Sequence, residues 1–416
     1  MEYKVGDLCT FQEGYVNPSQ KIEKYFDGPH KWVRAVDVNN NEVFNTSRTL
    51  SEEGFKSAKK SAYKFPANSI VITKSGTIGR VAIIKDKMAG NRAIINIVPN
   101  EKLVNLYYLF YLLITKRQDL ENLAVGSVQK NLYISVLSTL KINVPELKKQ
   151  NKIAKVLKSI DDKIASNRHI IASLEELSQT LFKRWFVDFE FPDEDGNPYK
   201  SSDGEMIDSE LGKIPKGWIV KSLDEIANYI NGLAMQKYPA NKEESLPIVK
   251  IKELKNGFTD ENSNRCTTEI PEKAKIDNGD IIFSWSATLI VKMWAGGKAG
   301  LNQHLFKVTS EAFPKWFYYL WTKRYIEYFI NIANDKATTM GHINRKHLSH
   351  AKIVLPTQLQ LENFDKIFHN LLEKQLNTEE EIKRLIDVRD TLLPKLMSGE
   401  LEIPDDIEVN IDELSI

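Results

Sequence analysis

The stretch Ile153-Ala154-Lys155-Val156-Leu157-Lys158-Ser159-Ile160-Asp161-Asp162-Lys163-Ile164, continued through Asn167, Ile171, Leu174, Ser178 and Leu181 to Trp185, decides the architecture. Ile153, Leu157, Ile160, Ile164 and the residues named after them alternate spacings of four and three. That pattern places them on one face of an α-helix and makes a coiled-coil seam. Adding 211 to each number gives Phe364, Phe368, Leu371, Gln375, Thr378, Ile382, Leu385, Arg389, Leu392 and Leu396, the same register with three polar members. Two matched stripes, each with one strong seam, pack most simply on each other. A whole globule of chain lies between them, which makes an antiparallel, pseudo-twofold pairing natural. Asn167, Gln375 and Arg389 either fix the register of that pair or face a partner.

Working outward, the same offset of 211 recurs: Ile70-Val71-Ile72 matches Ile281-Ile282-Phe283, Asn91 matches Asn302, and Tyr107-Tyr108-Leu109 matches Tyr318-Tyr319-Leu320. Val144-Pro145 matches Leu355-Pro356, and Thr180-Leu181 matches Thr391-Leu392. A single offset held over such a span marks an internal duplication. Before Ile70 and Ile281 the copies align only with insertions, as surface loops would. Each copy opens on short β-like runs, 69–74, 80–85 and 93–98 in the first, separated by turn residues. A helical apolar pattern follows over Val104 to Leu123, then a short strand (Lys141 to Val144, Lys352 to Leu355), a proline and the long helix. The expected fold class is α+β.

Composition is that of an ordinary globular protein, with 42% hydrophobic and 27% charged residues, so disorder and fibre are disfavoured. No apolar run approaches the roughly 20 residues that span a bilayer, and the start is not a signal peptide, so a cytoplasmic protein with no membrane partner is expected. Cys9 and Cys266 lie far apart without ligand spacing and read as buried thiols. The net charge of +1 conceals a segregation. Residues 188–210 carry nine acids against Lys200, and residues 400–416 carry seven acids and no Lys or Arg. Setting aside those net charges of −8 and −7 leaves +16 on the rest, enough to meet several phosphates; scattered solvated lysines give the same sum.

A helix of about 35 residues rises roughly 50 Å, the length of roughly 15 base pairs. The helices therefore read as a spacer, and two related modules about a pseudo-dyad would each read one half of a split double-stranded DNA target. Because the loops of the copies have diverged, the two halves should differ.

The segment after the first helix reads Phe182-Lys183-Arg184-Trp185-Phe186-Val187-Asp188-Phe189-Glu190-Phe191-Pro192, then Gly204-Glu205-Met206, Glu210-Leu211-Gly212 and Ile214-Pro215-Lys216-Gly217-Trp218. With Leu393-Pro394-Lys395-Leu396-Met397-Ser398-Gly399-Glu400-Leu401 at the end, it resembles the specificity subunits of type I restriction-modification enzymes over the whole chain. The resemblance implies two pseudo-twofold-related α/β target-recognition domains separated by two long antiparallel coiled-coil helices. On that plan residues 1–147 and 218–357 are the recognition domains and 148–187 and 358–398 the conserved helices. Residues 188–217 are an acidic linker and 399–416 an acidic tail. It also implies a non-catalytic chain without a cofactor of its own. It would direct two modification subunits, which methylate adenine with S-adenosylmethionine, and motor-nuclease subunits, which use ATP and Mg. The competing class is a coiled-coil interaction scaffold that binds no DNA.

Catalytic motifs are missing. No Pro-Pro pair supplies the polar-Pro-Pro-aromatic motif of an exocyclic-amine methyltransferase, and there is no P-loop. His342, His347 and His350 lack a carboxylate or thiol to complete a metal set. Candidate DNA contacts are therefore sought in loops. Lys74, Ser75, Thr77 and Arg80 flank the glycines of Ser75-Gly76-Thr77-Ile78-Gly79-Arg80, which is either a hairpin turn or a phosphate-contacting loop. In the second copy, Ser284, Ser286 and Lys292 are further candidates. Asn91 and Arg92, matched by Asn302, Gln303 and His304, suit base edges, although an asparagine at a matched position also caps turns. The polar loops containing Ser127, Gln129, Lys130 and Asn131, and Thr338, Thr339 and His342 with Arg345 beyond, precede a short helix in each copy and suit phosphate. Tyr15, Tyr238, Trp285 and Trp294 are aromatics that stack on bases or, as most do, fill the core.

Overall fold

The computed structural model describes residues 1–126, 130–240, 244–335 and 342–404. The first copy is built on a five-stranded sheet of β1 (Cys9–Glu13), β2 (Asn41–Val43), β3 (Ser69–Thr73), β4 (Val81–Ile84) and β5 (Ile94–Pro99), in the order β1-β5-β3-β4-β2. Only β2 runs parallel to its neighbour. The run Ser69-Ile70-Val71-Ile72-Thr73 is apolar at consecutive rather than alternate positions because both faces of the sheet are covered. Ile70, Ile72, Ile95 and Ile97 enter a core with the helix α1 (Leu106–Thr115), whereas Val71, Ala82, Ile84 and Ile94 enter another with Val33, Phe65 and Met88. That second layer is a small four-stranded sheet in the order Thr49–Leu50, Phe26–Val33, Met88–Gly90, Lys64–Phe65.

A two-stranded ribbon pairs Glu2–Lys4 with Lys141–Asn143 and leads into α2 (Leu147–Phe186). The second copy repeats the plan with β6 (Asn228–Asn231), β7 (Ile281–Ser284), β8 (Ile290–Met293) and β9 (Leu305–Thr309), in the order β6-β9-β7-β8. Ile281 and Phe283 face the core shared with α3 (Lys315–Arg324), and Ile282 faces the other with Val249, Ala299 and Leu301. Ile219–Ser222 pairs with Lys352–Leu355 before α4 (Gln358–Ser398). The single helix expected over Val104 to Leu123 is instead two, Leu106–Thr115 and Arg117–Leu123, with Lys116 leaving helical geometry at φ −90°, ψ 11°. Pattern alone does not see this break, because Leu120 is still buried.

The chain divides into two compact units, Met1–Asp162 with Asp387–Ile416, and Lys163–Ile386. In the first, Ile153 and Leu157 of α2 share a core with Leu393 and Leu396 of α4, and Arg389 bonds Asp161 at 2.8 Å. In the second, Trp185 meets Phe364 at 4.8 Å between ring centroids, and Phe182 meets Phe368 at 6.2 Å. Asn167 donates to Glu381 at 2.9 Å there. As numbers rise on α2 their partners on α4 fall, so the helices run antiparallel in each unit. Asn167, Gln375 and Arg389 thus answer to the opposite helix: Asn167 and Gln375 are 1% and 3% exposed and are bonded across it, whereas Thr378 donates to Lys374 of its own helix.

The seam departs from a strict 3.5-residue repeat in α4. Leu372 and Leu393 are the buried positions where the seam places Leu371 and Leu392, which are half-buried. Ile160 and Ile164 are buried, and Ile171, Leu174, Leu181, Ile382 and Leu385 half-buried. A straight helix drifts about 20° per heptad from that repeat, and the globules cover part of each helix, so packing rather than a supercoil selects the face. Residues 188–217, expected as a linker, are folded. Phe191 stacks on Tyr199 at 4.6 Å and on Trp218 at 5.0 Å, and Met206–Ser209 forms a hairpin with Gly212–Pro215. Of the expected tail, residues 405–416 lie outside the described residues; Glu402 pairs with Lys149 at 2.5 Å and Ile403 packs on the first core. Both cysteines are buried, and burial pushes the Cys9 thiol up to about 12. Among the described residues no helix is long and apolar enough to cross a membrane.

Candidate nucleic-acid interface

Three loops far apart in sequence meet at one end of the main sheet, and they do so in both copies. In the first, Ser75 forms a β-bridge with Asn131, Leu132 N–H donates to the Lys74 carbonyl at 2.8 Å, and Lys74 N–H donates to Ala93 at 2.8 Å. In the second, Ser286 bridges His342, and Ile343 N–H donates to the Trp285 carbonyl at 3.2 Å. Each of these second-copy residues lies 211 positions after its counterpart. The turn after β3, the turn before β5 and the strand-like segment before the short helix therefore form one cluster. The glycines let the first turn close: Gly76 and Gly79 have φ of +74° and +80°, in the left-handed region. Thr73 fixes the turn through its hydroxyl, which accepts from Arg80 N–H at 3.0 Å.

On this common frame the side chains differ. Lys74 lies 3.1 Å from Glu13, both largely covered, so its ammonium already has an internal counter-charge. Its counterpart Trp285 is half-buried among His304, Phe306 and His342, with ring centroids 5.9, 5.7 and 6.2 Å away. Arg92, Thr77, Lys130, His304 and His342 are exposed, and Ser75, Arg80, Asn131 and Gln303 half-buried. Ser127, Gln129, Thr338 and Thr339 lie outside the described residues.

Several expected contacts are used internally. The Asn91 side-chain oxygen accepts from Ala93 N–H at 2.9 Å and that of Asn302 from His304 N–H at 3.3 Å, so both asparagines hold turns. Asn302 is only 7% exposed, and Ser284 is fully buried with its hydroxyl on the Ser286 carbonyl at 3.2 Å. Ser286 is buried as well. Ser284, Ser286 and Asn302 are thus withdrawn from the surface, whereas Asn91 stays half-buried. Lys292 belongs to another neighbourhood: its ammonium lies against Gly257, where a β-carbon would come within 2.9 Å, and its charge acts on Glu379 of α4. Arg345 donates to the Tyr229 carbonyl at 3.1 Å. Of the aromatics, Trp294 is core, with its N–H on Gly297 at 2.7 Å, while Tyr15 is exposed. Trp285, one of the aromatics read from the sequence as either stacking on bases or filling the core, belongs to the cluster. The Glu13–Lys74 pair was not legible, because Glu13 precedes the part of the copy where the offset holds. No group of three or more His, Cys, Asp or Glu among the described residues is placed to hold a metal ion.

Comparison with known proteins agrees with this duplicated plan. The family model described as the type I restriction modification DNA specificity domain matches twice, over residues 1–176 and 215–386. The MjaIX type I restriction enzyme specificity subunit of Methanocaldococcus jannaschii is 30% identical over 410 residues, covering 96% of this chain and 93% of that protein. The HindI specificity subunit of Haemophilus influenzae is 23% identical over 475 residues, covering 96% and 99%. Among solved structures, the S subunit of a type I restriction-modification system from M. genitalium superposes with a TM-score of 0.57 at 16% identity, covering 98% and 96%, a likeness of fold. With the model matched in both copies and a relative aligned nearly end to end, the chain belongs to the type I restriction-modification specificity-subunit family.

Proposed function

We propose that this chain is the DNA-reading specificity subunit of a type I restriction-modification complex, making and breaking no bond itself. The two globules, 1–147 and 218–357, act as target-recognition domains, each reading one half of a bipartite, asymmetric target in the cytoplasm. The observation that carries this reading is the loop cluster, recurring on one frame with different side chains: Lys74 against Trp285, Arg92 against Gln303, Asn131 against His342. A conserved frame with exchanged chemistry is what a reader of two unlike half-sites needs.

The helices act as the ruler. At 40 and 41 residues each rises about 60 Å, comparable to about 18 base pairs at 3.4 Å each. They and the segments after them also dock two modification subunits, which carry S-adenosylmethionine; motor-nuclease subunits bring ATP and Mg. Support for two copies of one partner comes from a repeated cleft. Phe191, Pro192 and Asp193 face Leu359, Gln360 and Asn363 in one unit. The residues 211 positions away, Glu402, Ile403 and Pro404 with Lys148, Lys149 and Lys152, line the cleft of the other.

Methylome sequencing of cells expressing this chain with its modification subunit, against cells expressing the modification subunit alone, tests the reading. Adenine methylation at a bipartite motif only when this chain is present is expected. A formed complex that methylates no motif would overturn it in favour of a scaffold that binds no DNA.

A further inference from the structure

In each unit one carboxylate of α2 is shared between the globule and the opposite long helix. Tyr111 of α1, 2% exposed, donates to Asp161 Oδ2 at 2.6 Å, and Arg389 of α4 donates to Asp161 Oδ1 at 2.8 Å. In the second unit, Lys323 of α3 donates to Glu175 Oε1 at 3.0 Å, and Gln375 of α4 reaches the same oxygen at 3.4 Å. The duplication did not supply this arrangement. The position 211 after Asp161 is Leu372, and that after Glu175 is Ile386. Two unrelated sets of residues thus make the same three-way link, a globule helix and α4 joined through an acid of α2.

Adhesion alone does not need these links. In the first unit α1 already shares a core with Ile153 and Leu157, and in the second Trp316, Phe317 and Trp321 of α3 share one with Phe364 and Phe368. Apolar contact is non-directional and scales with area, so it holds the globule on the helices without fixing its rotation or register. Charge-assisted hydrogen bonds depend on distance and angle and do fix them. We propose that Asp161 and Glu175 are positioning residues that set how each globule sits on its stretch of helix, and so restrict the complex to one spacing between half-sites. The inference rests on the ruler reading above.

The test is the methylome of the full complex carrying Tyr111→Phe, Arg389→Met, Asp161→Ala, Glu175→Ala or Lys323→Met, beside a complex with one matched heptad removed from each long helix. In each variant the half-site sequences are expected to stay as they are. Discrimination against targets one base pair longer or shorter in the spacer falls about tenfold, the loss of one hydrogen bond to a charged group. Tyr111→Phe and Arg389→Met remove opposite arms of one link and should act alike. Phenylalanine fills the buried tyrosine site, and Lys323→Met keeps its stem, so those two variants report even where Asp161→Ala fails to fold. A single sharp spacer in both, with only total methylation reduced, overturns the inference. An unchanged spacer in the heptad deletion instead overturns the ruler reading.

Discussion

Ala287 has a φ of +58°, at the position that Gly76, with φ +74°, occupies in the first copy. A β-carbon in the left-handed region costs about 1–2 kcal/mol, partly offset by the smaller unfolded-state entropy of alanine. Ala287→Gly is therefore expected to stabilise the second unit by about 0.5–1 kcal/mol, and Gly76→Ala to destabilise the first by a similar amount, both read from denaturant midpoints. The pH dependence of the second unit should reflect Glu379. Burial holds this carboxyl above the ordinary carboxylate range, with Gln375 and Lys292 opposing. A carboxyl raised by folding favours the folded state while protonated, a contribution that is lost as pH rises through the folded value. Glu379→Gln should therefore raise the melting temperature near neutrality, and the gain should shrink as pH falls toward the usual glutamate range of about 4. A gain of equal size at both ends of a calorimetric pH series would contradict this. Neither site was legible in the sequence: Ala287 was a missing glycine in a turn, and Glu379 one acid among Glu379, Glu380 and Glu381.

At the scale of elements, Phe182, Trp185, Phe186 and Phe191 of the Phe182 to Pro192 segment turn out to be aromatic core. Phe186 has ring neighbours in Trp218, Trp316, Phe317 and Phe364, and Phe368 stacks on Trp316 at 4.5 Å. Removing such a buried ring leaves a cavity, so Phe368→Ala should cost about 3–5 kcal/mol, measured by chemical denaturation. If the helices are a ruler, deleting one heptad from each at matched positions removes about 10 Å of rise and should shorten the methylated spacer by about three base pairs, half-sites unchanged. The helices were legible because a four-three alternation has one structural meaning over that length. Their buried face in α4 was not, since Leu372 and Leu393 replace Leu371 and Leu392 only once the globules are packed on them.

For the whole molecule, binding carried by phosphate contacts predicts a steep salt response. With six to ten contacts, affinity for a duplex containing the target should fall about a thousandfold or more between 50 and 200 mM salt, followed by fluorescence anisotropy. A flat response would favour the scaffold that binds no DNA. The sequence by itself determined the duplication, the two long helices, the α+β class and the family, because periodicity and a fixed offset are properties of the chain read along its length. It also pointed to the Ser75 to Arg80 turn and the loops near Asn131 and His342, since polar runs between apolar ones must lie at the surface. Only the tertiary structure decided that these loops meet, as the Ser75–Asn131 and Ser286–His342 bridges join residues 56 positions apart in each copy. It alone turned Ser284 and Asn302 inward, paired Lys74 with Glu13, and gave Asp161 and Glu175 two partners each. The physical reason is that a polar side chain takes its role from whatever folding brings within about 3 Å of it, and a linear pattern records which residues are polar but not which of them will meet.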